Sequence, residues 1–297
     1  MTSHGAGTSL RQLLAAPGLV YLPAVYDPVG ARVVQAAGAQ AAYVGGYVTG
    51  ASRAVTEPLL TMTEQIATAE AVARSTELPV LCDAGAGFGE PLHVTRTVRE
   101  FIAAGIAGIH IEDQLYPKRA HYHRNVAHTV ALDEFAQKIR WAAVERDKQD
   151  PSFVLIARSD ACREEGLDAA LERVNRGAAE GADLGLLFPR SVEEAKRAPR
   201  EAAVPLVYVQ SRGNRDGRPV LSMRTLEDMG YAACIDAQLF LLAAVAAAGK
   251  AVGEVIETGS CASLSQDQAV TLRQSVEDLI GLEEYYAIEA DTVEGGD

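Results

Sequence analysis

Three charged side chains, each standing just after a run of aliphatic residues, are the first candidates for chemistry in this chain: Asp83 after Val80-Leu81-Cys82, Glu112 after Ile109-His110-Ile111, and Arg158 after Leu155-Ile156-Ala157. A charge at the tip of an apolar stem is costly unless it meets a partner, so two acids and an arginine meeting at one mouth could hold a divalent cation and an organic anion together. Asp83 precedes Gly85, Gly87 and Gly89, a loop that lets a ligand approach the backbone, and favours a metal role. Glu112 and Asp113 form an adjacent pair of which one acid could hold a metal-bound water. Arg158 offers a planar fork for a carboxylate, or else a salt bridge to Asp160 or Glu112. Gly45-Gly46 leaves backbone N–H groups unshielded and reads either as a small anion nest or as a tight turn.

Something must bring these tips together. Short Val/Ile/Leu-rich runs near 20–25, 41–46, 79–84, 108–112, 153–158, 184–188, 205–210 and 232–236 alternate with stretches of helical period such as 63–75, 92–104, 132–146 and 167–179. Helix starts are marked by Asp27-Pro28, by Thr61 with Glu64, by Asp133 and by Ser191 with Glu194. Continuous apolar strands alternating with helices mean a parallel sheet covered on both faces, and eight such units predict closure into a (β/α)8 TIM-type barrel. In that architecture the loops after the strands build the active site. A doubly wound open sheet is the rival, but the turn after its first strand would be Gly-rich, whereas here it reads Val25-Tyr26-Asp27-Pro28. The barrel is expected to span 1–259. Residues 260–297 would then form extra C-terminal helices and an acidic tail, with an amphipathic segment around 267–280 that packs on a neighbouring subunit.

The bulk composition narrows the function. A net charge of −13 over 297 residues excludes the clustered Lys and Arg of a nucleic-acid binder. Cys82, Cys162, Cys234 and Cys261 show no metal or redox spacing and read as reduced thiols of a cytoplasmic protein. The first residues lack the charged and apolar pattern of a signal peptide. The apolar run from Leu239 to Gly249, ended by Lys250, is too short for a membrane span and reads as a buried helix or an oligomer contact.

Taken in order, Tyr43-Val44-Gly45-Gly46, Asp83-Ala84-Gly85-Ala86-Gly87-Phe88-Gly89, Gly108 to Gln114, Lys118-Arg119 and Ala157-Arg158-Ser159-Asp160 resemble the isocitrate lyase and phosphoenolpyruvate mutase superfamily. The likeness runs from about Leu13 to Ala243 and is nearest to short-chain members such as methylisocitrate lyase and dimethylmalate lyase. It implies a modified β/α barrel that binds a 2-oxo or 2-hydroxy acid with Mg²⁺ (or Mn²⁺), with Asp83 and Glu112 on the metal and Tyr43, Gly45, Gly46 and Arg158 on the substrate. It also implies a homotetramer whose C-terminal helices are swapped between subunits.

Four positions depart from that pattern. Gly85 stands where most members carry a second aspartate. The loop that in the lyases carries a catalytic cysteine reads Lys118-Arg119-Ala120-His121-Tyr122-His123, without the thiol. Phe188 replaces a glutamate, and Glu57 takes the place of a gating-loop aspartate. Proton transfer would fall to Glu57, His121 or His123, beside Lys118. Phe188 and Pro189 suggest an apolar pocket wall suited to an alkyl group. The expected activity is a Mg²⁺-dependent carbon–carbon lyase acting on a small 2-hydroxy or 2-oxo dicarboxylate. Alternatives are phosphonopyruvate mutase-like or hydrolase-like chemistry, oxaloacetate decarboxylation, or a non-catalytic anion-binding barrel. A Schiff-base aldolase is disfavoured because Lys118 lies in a polar loop.

Overall fold

The computed structural model describes residues 3–120, 124 and 126–295. In chain order the elements are α1 (Ser3–Ala15), β1 (Val20–Pro23), α2 (Pro28–Ala36), β2 (Ala42–Val44), α3 (Gly46–Ser52), a 3₁₀ turn (Glu57–Leu59), α4 (Met62–Ser75), β3 (Val80–Asp83), α5 (Pro91–Ala103), β4 (Gly108–Glu112), α6 (Leu132–Gln149) and β5 (Val154–Ser159). A second 3₁₀ turn (Ala161–Arg163) leads to α7 (Leu167–Ala179), β6 (Leu184–Leu187), α8 (Val192–Glu201), β7 (Leu206–Gln210), α9 (Met223–Met229), β8 (Ala233–Asp236), α10 (Leu239–Thr258), α11 (Gln266–Ile280) and α12 (Leu282–Thr292).

The strands form one sheet in the order β1-β8-β7-β6-β5-β4-β3-β2, and every ladder is parallel. The seam between β1 and β2 carries a single parallel bridge, Ala24 to Tyr43, beside a 2.9 Å hydrogen bond from Val25 N–H to Tyr43 O. That contact brings the ring round on itself, giving the barrel and excluding the open sheet.

Strand alternation sorts the side chains. In β4, Ile109 and Ile111 pack into the apolar layer between strands and helices, together with Phe101, Phe135 and Ile139. His110 and Glu112, of opposite parity, are turned the other way. The register sets Asp83 beside His110 and Glu112 beside Arg158, so neighbouring strands place four polar side chains at one end of the barrel.

Several helix starts follow the sequence signals. Asp27 accepts from Gly30 N, Thr61 and Glu64 form a reciprocal capping box, and Ser191 accepts from Glu194 N. Asp133 does not cap α6: the N-cap is Ala131, without a side-chain bond, and Asp133 sits in the first turn, where a negative charge suits the helix dipole. Helix α1, unanticipated, lies near the opposite end of the strands. Arg11 there donates to Ser152 O at 2.7 Å and pairs with Asp183 at 2.9 Å, and a Cβ on Gly7 would stand 2.7 Å from Ser152 O.

Two compact units divide the chain, Met1–Phe240 and Leu241–Asp297. Lys250 ends the apolar run that begins at Leu239 but not the helix, because a single lysine at one helix position does not break the backbone ladder. Helix α10 runs through Lys250 for 20 residues at a mean hydropathy of 1.9, long and apolar enough by length and composition to cross a membrane. None of its residues is buried, against the buried-helix reading. Helices α11 and α12 likewise expose Val270, Leu272, Tyr285 and Tyr286. All four cysteines are free thiols.

Candidate active site

The tips of β2 to β8 surround a cavity of about 380 Å³, within the range usual for small-molecule sites. Tyr43, Gly45, Gly46, Glu57, Asp83, Lys118 and Arg158 all line it. Seven of the ten site residues expected from sequence thus meet around one space. Glu112 lies just beneath the floor, fully buried. The remaining two, His121 and His123, lie outside the described residues.

Arg158 holds the floor together. Its Nε and Nη2 donate to the two oxygens of Asp160 at 3.0 and 3.1 Å, Nη2 pairs with Glu112 Oε2 at 3.1 Å, and Nη1 stands 3.7 Å from Asp83 Oδ2. The salt bridges weighed as the alternative for Arg158 are therefore present, and three acids share one guanidinium. Burial works against its charge, but those carboxylates outweigh it and hold Arg158 well above its ordinary range.

Lys118 reaches between two acids. Its Nζ pairs with Glu57 Oε1, donates to Glu112 Oε2 at 3.2 Å and passes 2.9 Å from Glu112 Oε1. The side chain is only 8 % exposed, so the loop position that looked solvated delivers a buried ammonium. Burial favours the neutral amine, yet Glu112 and Glu57 overcome this and hold Lys118 above its usual value. A Schiff-base nucleophile needs a neutral amine; this one is kept charged. Burial pushes Glu112 up to about 7 against the pull of Lys118 and Arg158.

Asp83 accepts hydrogen bonds from Gly85 N at 2.7 Å and Gly46 N at 3.2 Å. Burial alone would raise its carboxyl, but nearby His110, Arg158 and Lys118 and the Gly85 N–H hold it well below the usual carboxylate range. Gly46 N–H is thus turned toward Asp83, so the proposed nest already has an anion against it. A Cβ on Gly46 would lie 2.8 Å from Glu57 Cγ and 3.1 Å from Asp83 Oδ2, and one on Gly45 would lie 2.8 Å from the Tyr43 ring. These two positions need glycine because three side chains close over them.

His110 was quoted within a motif but not given a role. Its Nε2 lies 2.7 Å from Tyr43 Oη and its Nδ1 lies 3.7 Å from Asp83 Oδ1. Burial pulls His110 down to about 4, and burial pushes the Tyr43 phenol well above its normal value. Near neutral pH both groups are therefore uncharged, and the imidazole tautomer sets which of them donates in the bond they share. Asp160 was also missed, except as a partner for Arg158. The available signal was period two: His110 stands two residues before Glu112 and Asp160 two after Arg158, on the same side of each strand. Asp113 serves the scaffold instead, accepting from Ser159 Oγ at 2.6 Å and Asp160 N at 2.9 Å.

The wall by β6 joins apolar surface, from Leu186 and Phe188, to charge. Phe188 lines the cavity, but the guanidinium carbons of Arg158 and Arg218 both lie over its ring, 5.0 and 4.9 Å from the centroid. The apolar surface expected from Phe188 is present, but its aromatic face is also a platform for arginine.

A divalent cation of the Mg²⁺ kind asks for hard oxygen donors, one or two of them carboxylates, and keeps several waters. Among the described residues no three His, Cys, Asp or Glu side chains form a ready-made cage. Asp83 nevertheless faces the cavity, and Glu112 Oε1 beneath it is buried without a hydrogen bond. These donors fit a site with one direct carboxylate whose remaining ligands are water and substrate oxygens. A Cβ on Gly85 would meet nothing within 4 Å, and its φ of +51° is a left-handed conformation that strains a side chain but that aspartate visits more readily than most residues, so Gly85→Asp should cost some stability and raise Mg²⁺ affinity about 10- to 100-fold. Calorimetric titration with Mg²⁺ checks this; an unchanged affinity removes Asp83 and its loop from the metal site.

A β/α barrel with ion-paired acids, a buried lysine and an arginine at the C-terminal mouth defines an enzyme. Residues 10–256 match the phosphoenolpyruvate phosphomutase family. The chain is 37% identical over 256 residues to the probable 2-methylisocitrate lyase 2 of Corynebacterium glutamicum, covering 84% of this chain and 81% of that one. An oxaloacetate acetylhydrolase solved with the inhibitor 3,3-difluorooxalacetate superposes with a TM-score of 0.88 at 30% identity over 98% of both chains. A phosphonopyruvate hydrolase solved with oxalate and Mg²⁺ superposes at 0.82 with 26% identity, over 99% of this chain and 100% of that one. The protein belongs to the phosphoenolpyruvate mutase family, within the isocitrate lyase and phosphoenolpyruvate mutase superfamily.

Proposed function

We propose that the protein is a carbon–carbon lyase that cleaves a small 2-hydroxy or 2-oxo dicarboxylate and releases a 2-oxo acid. The observation that carries this reading is the convergence of Asp83, Glu57, Lys118 and Arg158 on one cavity, in a chain similar to a methylisocitrate lyase and to an oxaloacetate acetylhydrolase. Mg²⁺ held by Asp83, with Glu112 behind it, would supply Lewis-acid polarisation of the oxygen beside the scissile bond. Arg158 and the Gly45 backbone orient the substrate carboxylate, beside Gly46 whose N–H is held by Asp83, and Tyr43, held by His110, borders the same head group. Glu57, or one of the loop histidines His121 and His123, takes the hydroxyl proton as the bond breaks. Lys118 stabilises the negative charge that develops on the departing enolate.

With Ala120 in place of a thiol, the enolate must be protonated by another group or released to water. The exposed apolar faces of α10, α11 and α12 suit packing among copies of this chain in a homotetramer.

The test is incubation with alkylated malates and citrates, oxaloacetate and phosphonopyruvate, with and without Mg²⁺, while 2-oxo acid and phosphate are followed. Release of 2-oxo acid from a malate- or citrate-type compound, lost on chelation, is the expected result. Phosphate release from phosphonopyruvate alone would replace the lyase by phosphorus–carbon chemistry. Carbon dioxide from oxaloacetate alone would make it a decarboxylase, and no turnover of any compound would leave an anion-binding barrel.

A further inference from the structure

The two walls of the cavity carry opposite charge. At the reacting end, Lys118 and Arg158 face Glu57, Asp83, Glu112 and Asp160, so acids outnumber cations there. Across the cavity, Arg190, Arg215 and Arg218 line it with a single acid, Asp216. Arg190 takes most of that acid: its Nη1 meets Asp216 Oδ2 at 2.6 Å and its Nη2 donates to the Asp216 main-chain oxygen at 2.6 Å. Arg218 reaches Asp216 at only 3.5 Å and instead stacks over Phe188. Arg215 has no ion-pair partner among the described residues.

An organic anion entering this chain, whose net charge is −13, therefore finds its strongest uncompensated attraction on the wall away from the metal-type carboxylates. We infer that Arg215 and Arg218, the latter beside Asp216, form a second anion subsite that binds a carboxylate at the far end of the substrate. The inference rests on the lyase reading for the orientation of the reacting head. It narrows the substrate to acids with a second carboxylate beyond the reacting carbons and excludes monocarboxylic 2-hydroxy and 2-oxo acids of the same length. Phe188 stands where a carboxylate would have repelled that group, and the Arg218 guanidinium lies over its ring, 4.9 Å from the centroid.

Binding of two probes of equal chain length, 2-oxopentanedioate and 2-oxopentanoate, separates the subsite from the head-group site, because they differ only in the distal carboxylate. Calorimetry in the presence of Mg²⁺ should show the diacid binding at least about tenfold more tightly, the gain expected of one charge-assisted contact. In Arg215→Gln and Arg218→Met the preference should fall to less than about threefold, with 2-oxopentanoate affinity unchanged. Arg215 is exposed, so its variant tests the subsite without disturbing the fold; thermal unfolding of both variants checks this, and Arg215→Gln decides if Arg218→Met is unstable. No preference in the parent protein, equal weakening of both probes in Arg215→Gln, or failure of both probes to bind would overturn the subsite. A retained preference in a protein that cleaves none of the candidate substrates would keep the subsite and remove the lyase. Cleavage of diacids indifferent to Arg215→Gln would do the reverse.

Discussion

Replacing Lys118 by methionine should lower kcat by about 10²- to 10⁴-fold, the range for losing one positioned acid–base or charge-stabilising group. The ammonium sits between Glu57 and Glu112, and methionine keeps most of the volume while removing the cation. Glu57 and Glu112 then lose the cation they share, and Glu112 keeps only Arg158, a change of the kind that costs up to about 3–5 kcal/mol when one partner of a buried pair is removed. Glu112, which burial already pushes up to about 7, would relieve the strain by taking a proton, so the variant should bind its anionic ligand at least as well as the parent while turning it over slowly. Steady-state kinetics with 2-oxo acid detection, beside oxalate titration, measure both quantities. A kcat within threefold of the parent would reduce Lys118 to a structural cation.

Arg158→Ala should weaken oxalate binding about 10- to 100-fold, as expected for losing a charge-assisted contact of about 1.5–3 kcal/mol. It should also destabilise the fold, because Asp83, Glu112 and Asp160 all lose their shared guanidinium. The two effects separate the roles open to this residue. If Arg158 only neutralised its neighbours, unfolding would shift while oxalate affinity in the folded protein stayed constant. Arg158→Lys sharpens the comparison: it returns a charge without the fork that meets both oxygens of Asp160, so it should recover stability more fully than ligand affinity.

Much of the barrel was legible in the chain. Each of the eight expected runs overlaps an observed strand, because a strand buried on both faces must be aliphatic throughout and such runs stand out against helical period. Caps with side-chain oxygens were readable as well, as at Thr61 and Ser191. Less visible were elements whose signal is weak or shared: α1 carries Gly5 and Gly7, which weaken a helical pattern, and α3 begins at Gly46, where two glycines read as an anion nest or a turn.

Residue type and position after each strand determined which side chains could reach the mouth of the barrel, since the order of strands dictates which tips are neighbours. What they could not determine was how the charges pair. Whether Arg158 is an open clamp or is occupied by Asp160 and Glu112, whether Lys118 is solvated or buried between two acids, and whether Phe188 makes a greasy wall or carries two arginines all depend on distances of a few ångströms between residues far apart in the chain. Coulomb energies and desolvation change steeply over such distances, and only the closed ring sets them.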